Sequence, residues 1–260
     1  MNFKVLVTGA NGQLGETIKD LYAIHPLKID FVFVSKKDLD ITSKLQLEEY
    51  FHQNKFHFCV NCAAYTNVEQ AQKTPEEAFK INAEGVKNLA LECKKHEIVL
   101  IHISTDYVFD GKKSEPYKVD DIPNPINEYG KSKLAGEEYI KSYLDEYFII
   151  RTSWLYSKKF GNNFYKFIVE KANQGLDLSI TTDQTGCPTD TEDLSKYITS
   201  FIVEGNKPFG VYHFCNSEPK TWYRFAKDIL KENGLFGIIE IKPVNTYKSI
   251  AKRPHYSVLG

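Results

Sequence analysis

The sequence has no apolar run of membrane-spanning length and no excess of charge of either sign. Its 33 lysines and arginines against 34 aspartates and glutamates give a formal net charge of −1. Such a balance offers no attraction to nucleic acid or to an anionic membrane surface, and a membrane helix needs roughly 18 apolar residues. The N-terminal apolar stretch is too short for a signal peptide and runs straight into glycines. We therefore expect a cytoplasmic protein with neither nucleic acid nor a membrane as partner.

Cysteine is also scarce. The chain has five cysteines, an odd number, and one C-x-x-C pair formed by Cys59 and Cys62. In a chain without a signal peptide this favours reduced thiols over a disulfide framework. A structural zinc site needs a second pair of ligands, and the histidines show no ligand spacing. We predict buried structural thiols and no metal site.

What the sequence does contain is a regular alternation of apolar and amphipathic segments. Strands that are apolar throughout, separated by helices, predict a parallel sheet covered on both faces. Right-handed crossovers make this a doubly wound, Rossmann-type α/β sheet, which we assign to a dinucleotide-binding domain at residues 1–155. Residues 156–260 are predicted to form a smaller C-terminal α/β substrate lobe, from which segments are allowed to return to the first domain. The predicted strands of the first part are 3–8, 31–35, 56–61, 97–104 and 147–153, and its predicted helices are 15–24, 42–54, 74–96 and 127–144.

Three glycines, Gly9, Gly12 and Gly15, follow the first predicted strand and open the first predicted helix. Glycine weakens regular structure unless its missing side chain is needed. Here the first would permit a tight turn, the second would admit a pyrophosphate, and the third would let helix and strand pack closely. The spacing is one residue longer than the usual dinucleotide fingerprint, so an ordinary tight turn is the alternative.

A second pattern combines hydroxyl residues with a tyrosine–lysine pair. Ser104 and Thr105 end a predicted strand, and Tyr129 and Lys133 stand four residues apart on one face of a predicted helix. Ligands of open α/β sheets bind at the carboxyl ends of the strands. Each pattern alone fits a surface pair or a loop of small residues, but together with the glycine turn they favour a functional site.

These segments resemble a known group of enzymes. The stretches TGANGQLG (8–15), STDYVFDG (104–111) and YGKSKLAGE (129–137) are similar to the extended short-chain dehydrogenase/reductase superfamily. RTSWLY (151–156) and DQTGCPT (183–189) narrow the resemblance to dTDP-4-dehydrorhamnose reductases, and it extends over essentially the whole chain. The resemblance implies NAD(P)H-dependent reduction of the C4 ketone of dTDP-4-dehydro-L-rhamnose to dTDP-L-rhamnose.

Two other interpretations of the function stay open. One is another nucleotide-sugar epimerase, dehydratase or reductase, although Asp106 is not followed by the glutamate that completes the acid pair of sugar dehydratases. The other is a non-catalytic NADP-binding subunit, like the regulatory subunit of methionine adenosyltransferase. An epimerase would consume no net NADPH, and a binding subunit would show no turnover.

The predicted catalytic residues are Thr105, Tyr129 and Lys133. Hydride attack on a ketone places negative charge on its oxygen, which then needs a proton donor. Tyr129 offers a phenol with an unperturbed pKa of about 10, and Lys133 is expected to lower that pKa. The resemblance implies that Lys133 also bonds the nicotinamide ribose and that Thr105 bonds the substrate carbonyl, with Ser104 beside it.

The resemblance also assigns binding residues. Among these, the face of Trp154 is expected to pack on the sugar, and Arg253 to pair with the diphosphate. Trp222 and Tyr223 are interpreted as packing residues. The predicted cofactor-binding residues are Gly9, Asn11, Gly12, Gln13, Leu14, Gly15, Ser35, Lys36, Asp40, Ile41, Ala63, Ala64, Tyr65, Tyr129 and Lys133. The predicted substrate-binding residues are Ser104, Thr105, Trp154, Asn163, Phe164, Gln184, Tyr212 and Arg253.

The end of the second predicted strand bears on the choice of cofactor. NAD-specific sites tend to carry an acid there, whereas this chain places Ser35, Lys36 and Lys37 first. These residues favour NADPH by meeting a 2′-phosphate. Solvated surface lysines are the alternative, and use of NADH stays open.

Assembly is predicted only in outline. Some family members hold Mg²⁺ between subunits, and Glu192 matches one ligand position, but Thr17 stands where another acid is wanted. We therefore do not expect Mg²⁺-bridged dimers, while a homodimer of another kind stays open. Family members often run further past the Arg253–Pro254 pair than this chain does, and whether a last helix is missing after Gly260 stays open.

Overall fold

A computed structural model describes residues 2–24, 27–216, 218–246 and 248–260. The strands, in chain order, are β1 (Phe3–Thr8), β2 (Ile29–Val34), β3 (Phe58–Asn61), β4 (Val99–Thr105), β5 (Tyr147–Thr152), β6 (Leu155–Tyr156), β7 (Leu178–Thr181), β8 (Thr185–Gly186), β9 (Thr189–Asp190), β10 (Gly210–His213), β11 (Lys220–Thr221) and β12 (Ile241–Val244). The α-helices are α1 (Gln13–Ile24), α2 (Lys44–Gln53), α3 (Val68–Lys73), α4 (Pro75–Phe79), α5 (Val86–Lys95), α6 (Glu128–Tyr143), α7 (Phe164–Asn173), α8 (Thr191–Val203) and α9 (Trp222–Glu232).

Six of these strands form one parallel sheet in the order β2, β1, β3, β4, β5, β10. The chain moves outward from β1 to β2 and then crosses back to place β3 on the other side of β1. Ligands of open α/β sheets bind in the crevice at such a reversal, outside the carboxyl ends of the strands. The predicted doubly wound α/β fold is confirmed.

Apolar cores cover both faces of the sheet, which explains why its strands are apolar throughout. In β1, Leu6 faces the core formed with α2, α5 and α6, while Val5 and Val7 face the core formed with α1 and α8. The residues of β1 alternate between the two faces because successive strand side chains point to opposite sides.

The second part of the chain divides between two cores. Helices α7 and α9 pack with β7 and β12 around buried residues such as Ile168, Phe225 and Ile229. Helix α8 instead packs against α1, and β10 forms the edge of the large sheet beside β5. Within the described ranges, no helix combines the length and the apolar character needed to cross a lipid bilayer.

Candidate active site

A cavity of about 560 Å³ lies at the carboxyl ends of β1, β3, β4 and β5. It brings together the glycine turn after β1, the hydroxyl residues at the end of β4 and the start of α6. Segments of the second part close its opposite wall. The sequence-predicted residues that line it are Asn11, Gly12, Gln13, Leu14, Ala64, Ser104, Thr105, Tyr129, Lys133, Trp154, Asn163, Phe164 and Arg253.

The three glycines of the turn have different surroundings. Gly9 has a φ of +67°, and a Cβ there would lie 2.6 Å from the backbone nitrogen of Ala63. A Cβ on Gly15 would lie 2.7 Å from the carbonyl oxygen of Gly9. Gly12 lines the cavity, and the nearest atom to a Cβ there is the Gly9 carbonyl oxygen at 3.2 Å. The fold therefore requires Gly9 and Gly15, whereas Gly12 keeps the cavity open at the N-terminus of α1.

Tight packing at the start of α6 positions Tyr129. The side chain of Asn127 caps the helix by accepting a hydrogen bond from the Gly130 N–H at 2.8 Å. Gly130 packs directly under the turn after β4, where a Cβ would lie 2.1 Å from the Tyr107 carbonyl oxygen. This contact brings the Tyr129 hydroxyl into hydrogen-bonding contact with the side chain of Thr105.

Burial controls the protonation of Tyr129. It raises the pKa of the Tyr129 phenol, and the charges of Asp106 and Tyr107 raise it further, while the hydrogen bond with Thr105 acts in the opposite direction. The lowered pKa expected from Lys133 is not found. The Lys133 Nζ instead donates to the Ile103 carbonyl at 2.6 Å. Tyr129 is thus a phenol that keeps its proton at neutral pH.

Lys133 lies fully inside the protein. Burial lowers the pKa of its amino group to about 8, against the opposing influence of Glu137 and Cys62. Its Nζ also lies 3.2 Å from His102 Nε2. Lys133 therefore holds a labile proton at physiological pH.

Asp106 is a buried carboxylic acid on the cavity wall, next to Thr105. Its Oδ1 accepts a hydrogen bond from the Thr105 hydroxyl at 3.0 Å. Burial raises the pKa of its carboxyl to about 7, although hydrogen bonds from Ser257 and Thr105 oppose this. Asp106 was expected only as part of a dehydratase acid pair, although its position directly after Thr105 in the sequence already indicated a place at the site.

Ser104, predicted to bind substrate, uses its hydroxyl elsewhere. Its Oγ donates to Glu137 Oε1 at 2.5 Å, and Glu137 also forms a bidentate ion pair with Arg151, with Nη2 at 2.7 Å and Nε at 3.0 Å. Ser104 lines the cavity but acts as an anchor between β4 and α6. A buried ion pair is stabilised by such additional hydrogen bonds, and contact of Ser104 with substrate stays a prediction.

The substrate side of the cavity is aromatic. The rings of Trp154 and Trp222 stack with centroids 3.5 Å apart and planes at 5°. Trp154 has a φ of +47°, and a Cβ on Gly186 would lie 2.5 Å from its ring. The interpretation of Trp222 as a packing residue is thus incomplete, because Trp222 also lines the cavity.

A second cavity of about 540 Å³ continues from the first, with which it shares Trp222, Phe164 and Arg253. Gln184 also lines it and accepts a hydrogen bond from Trp222 Nε1 at 3.0 Å. The Arg253 guanidinium pairs with Glu69 at 3.0 Å. The two cavities together make an elongated site with a cation near their junction.

Two other predicted substrate residues have structural roles. Asn163 lines the cavities, but it caps α7 through the Lys166 N–H and donates to the Ser157 carbonyl at 2.9 Å. Tyr212 lies on β10, where its ring packs near Phe148 and Phe201, outside the residues that line either cavity. Its strand places the Tyr212 ring against the sheet core, and contact with substrate stays a prediction.

The remaining predicted cofactor residues are not among the described residues that line this cavity. Ser35 donates to Asp38 at 2.6 Å, and Lys36 is exposed with its Nζ 4.0 Å from Asp40. Ile41 is buried. Near β3, the Ala63 N–H donates to Asn61 and the Tyr65 N–H donates to Asn82. Among the described side chains, no group of three His, Cys, Asp or Glu residues is arranged to hold a metal ion.

Comparison with known proteins agrees with the motifs. Residues 3–260 match the family model described as the RmlD substrate binding domain. The chain is 38% identical to a spore coat polysaccharide biosynthesis protein of Bacillus subtilis (strain 168), over 99% of this chain and 89% of that protein. It is 36% identical to the dTDP-4-dehydrorhamnose reductase of Aggregatibacter actinomycetemcomitans, over 98% and 90% of the two chains.

A solved structure gives the same result in three dimensions. The dTDP-4-dehydrorhamnose reductase of Bacillus anthracis str. Ames, in complex with NADP, superposes with a TM-score of 0.94 at 38% identity. The match covers 100% of this chain and 91% of the other. The chain therefore belongs to the RmlD family, the family of the dTDP-4-dehydrorhamnose reductases.

Proposed function

We propose that this chain reduces the C4 ketone of dTDP-4-dehydro-L-rhamnose to dTDP-L-rhamnose, with NADPH as the donor. The observation that carries the proposal is the contact between the hydroxyls of Tyr129 and Thr105. Both residues line the cavity that opens on the glycine turn. The function of the relatives supports the choice of substrate.

The glycine turn fits a dinucleotide. Gly12 leaves free the space that a side chain would fill, and Asn11, Gln13 and Leu14 line the same wall. The N–H groups of a first helical turn lack partners within the helix, and the helix dipole favours negative charge there. We propose that this turn holds the pyrophosphate, as the NADP complex of the B. anthracis relative supports. When bound, NADPH supplies the hydride that reduces the ketone, and NADH stays open as a second donor.

Tyr129 and Thr105 then act on the ketone oxygen. When the ketone binds, the Thr105 hydroxyl turns from Asp106, donates its hydrogen to the ketone oxygen and holds that oxygen beside the Tyr129 phenol. Because burial raises its pKa, Tyr129 keeps its proton until the oxygen has become a stronger base than a phenolate. It then gives up that proton as a general acid. Lys133 supports the cofactor and keeps positive charge close to the developing phenolate.

The aromatic wall and Arg253 suit the rest of the substrate. We propose that the stacked Trp154 and Trp222, with Phe164 beside them, pack on the deoxysugar and the base. Arg253 would share its guanidinium between Glu69 and the diphosphate. The apolar C6 methyl of a 6-deoxysugar favours such a wall.

The test is a direct assay. The purified chain is mixed with dTDP-4-dehydro-L-rhamnose and NADPH, and the near-ultraviolet absorbance of NADPH is followed. We expect stoichiometric loss of NADPH that requires the sugar, with dTDP-L-rhamnose as product. Conversion of the sugar without net loss of NADPH would support an epimerase. Tight NADPH binding without turnover would support a non-catalytic, regulatory subunit. We propose that the protein acts in the cytoplasm, and a homodimer is the assembly considered for it.

A further inference from the structure

A chain of buried hydrogen bonds runs behind the cavity and ends at Lys133. The Thr8 hydroxyl donates to Asn61 Oδ1 at 2.7 Å, and Asn61 Nδ2 lies 3.0 Å from His102 Nδ1. On the other side of the ring, His102 Nε2 lies 3.2 Å from Lys133 Nζ. Each of these four residues is at most 2% exposed. Water therefore does not compete for these bonds.

The surroundings of Asn61 fix the tautomer of His102. Asn61 Oδ1 accepts a hydrogen bond from the Ala63 backbone N–H at 3.2 Å as well as from Thr8. A backbone N–H can only donate, so the amide oxygen must face it and the amide nitrogen must face His102. Because that nitrogen also donates, His102 Nδ1 must accept. A neutral His102 then carries its proton on Nε2.

This proton points to the amino group of Lys133. An ammonium group has three donors and no acceptor, so it has no favourable hydrogen bond with Nε2–H. A neutral amine accepts from Nε2–H and still donates to the Ile103 carbonyl at 2.6 Å. His102 thus favours the neutral form of Lys133.

The charged groups around Lys133 are consistent with this reading. Burial lowers the pKa of Lys133 to about 8, while Glu137 on α6 and Cys62 after β3 act in the opposite direction. Burial also lowers the pKa of His102, and the charge of Lys133 lowers it further. His102 therefore stays neutral, and the proton that is gained or lost at this contact belongs to Lys133.

We propose that His102 is a positioning residue that favours the neutral amine form of Lys133 in the free enzyme, so that binding of NADPH is coupled to proton uptake at Lys133. This inference rests on the proposed function, which assigns Lys133 to the cofactor. An anionic dinucleotide in the same cavity favours the ammonium form. The proton comes from solvent and is added to Nζ, and no covalent bond of the chain changes.

Calorimetry of NADPH binding in buffers of different ionisation enthalpy measures this uptake. A group with a pKa of about 8 is half protonated at pH 8, so we expect the unmodified protein to take up about half a proton there. At pH 6 the uptake should be close to zero. In His102→Gln, the glutamine oxygen can accept from the ammonium, and the uptake at pH 8 should fall below half of the unmodified value.

The matched control is His213→Gln. His213 lies on β10 of the same sheet and also has a pKa lowered mainly by burial, to about 4, but it lies outside the cavity wall. We expect its variant to take up the same number of protons as the unmodified protein. Equal uptake in His102→Gln and the unmodified protein would overturn the proposal.

Asn61→Asp gives an independent second variant. A carboxylate at this position accepts from Nδ1–H, which moves the free lone pair of His102 to Nε2, where it accepts from the Lys133 ammonium. We expect the same loss of proton uptake as in His102→Gln. If His102→Gln does not fold, as judged by circular dichroism, unchanged uptake in Asn61→Asp overturns the proposal.

A titration without cofactor separates this inference from the proposed function. In carbon-13 NMR of labelled lysine, the Lys133 signal of the free protein should titrate near pH 8 and at higher pH in the two variants. If Lys133 titrates in this way but the protein does not bind NADPH, the proposed function is overturned. The role of His102 as the residue that favours neutral Lys133 is then still supported. A Lys133 signal that titrates at the same pH in all variants would overturn that role.

Discussion

The change Glu137→Gln should destabilise the protein far more than its conservative shape suggests. Glu137 has a fully buried side chain on α6 and pairs with Arg151, which is itself buried on β5. It also accepts the hydrogen bond from Ser104 at 2.5 Å. The pair therefore ties the helix that carries Tyr129 to two strands of the sheet.

The magnitude follows from the charge left behind. Glutamine keeps one acceptor oxygen, but it turns an amide N–H₂ toward the donors of Arg151 or Ser104. Removing one partner of a buried ion pair costs about 3–5 kcal/mol, because the other charge stays buried without compensation. Since one acceptor remains, we expect the free energy of unfolding to fall by about 3 kcal/mol.

Urea unfolding followed by circular dichroism measures this loss. The matched control is Glu138→Gln, the next residue, whose side chain is 59% exposed and pairs with Lys141 at 2.9 Å. Such surface pairs contribute about 0–1 kcal/mol. If both variants lost less than about 1 kcal/mol, the reasoning that this pair anchors α6 would be refuted.

Three further predictions concern the cavity and its rim. Gly12→Val should fold normally but lose NADPH binding, because a branched side chain fills the space over the turn. An unchanged dissociation constant for NADPH in calorimetry would mean that the glycines form only an ordinary tight turn. Replacing Lys36 and Lys37 together by alanine should weaken NADPH more than NADH by about 1–3 kcal/mol, and equal losses would mean that both lysines are only solvated. Burial raises the pKa of Asp106 from 3.8 to about 7. Ionisation of this carboxyl therefore lowers the free energy of unfolding as the pH rises between these two values, by at most about 4 kcal/mol. Asp106→Asn should remove this loss when unfolding free energies at pH 5 and pH 8 are compared, and an identical pH dependence in both proteins would contradict the assignment.

Much of the fold was predictable because its signals are local. The apolar run of β1, the glycines and the amphipathic α1 lie within one stretch, and α1 was predicted at 15–24 and found at Gln13–Ile24. The helix predicted at 74–96 is present, but a π-helical turn at Lys80–Gly85 interrupts it. Asn82 in that turn donates to Tyr65 and Ser132. This interruption depends on partners distant in sequence, which periodicity does not report.

The roles of individual polar and aromatic residues were harder to predict. Ser104 and Thr105 are adjacent hydroxyl residues at the end of one strand, and only the buried Glu137 decides that the Ser104 hydroxyl is engaged within the protein. Trp222 stacks on Trp154 across many intervening residues. His102 carried a signal that was overlooked, since a histidine within an apolar strand needs a buried hydrogen-bond partner.

The assignment of Tyr129 as proton donor is the central claim, and Tyr129→Phe tests it most directly. The variant keeps the ring and its packing near Tyr107 but removes the hydroxyl. The assay compares kcat for NADPH-dependent reduction of dTDP-4-dehydro-L-rhamnose in the variant and the unmodified protein, with the NADPH dissociation constant measured in parallel. General acid catalysis contributes about 10²- to 10⁴-fold, so kcat should fall by that factor while NADPH affinity stays the same. Reduction of the ketosugar at the unmodified rate would contradict the catalytic assignment.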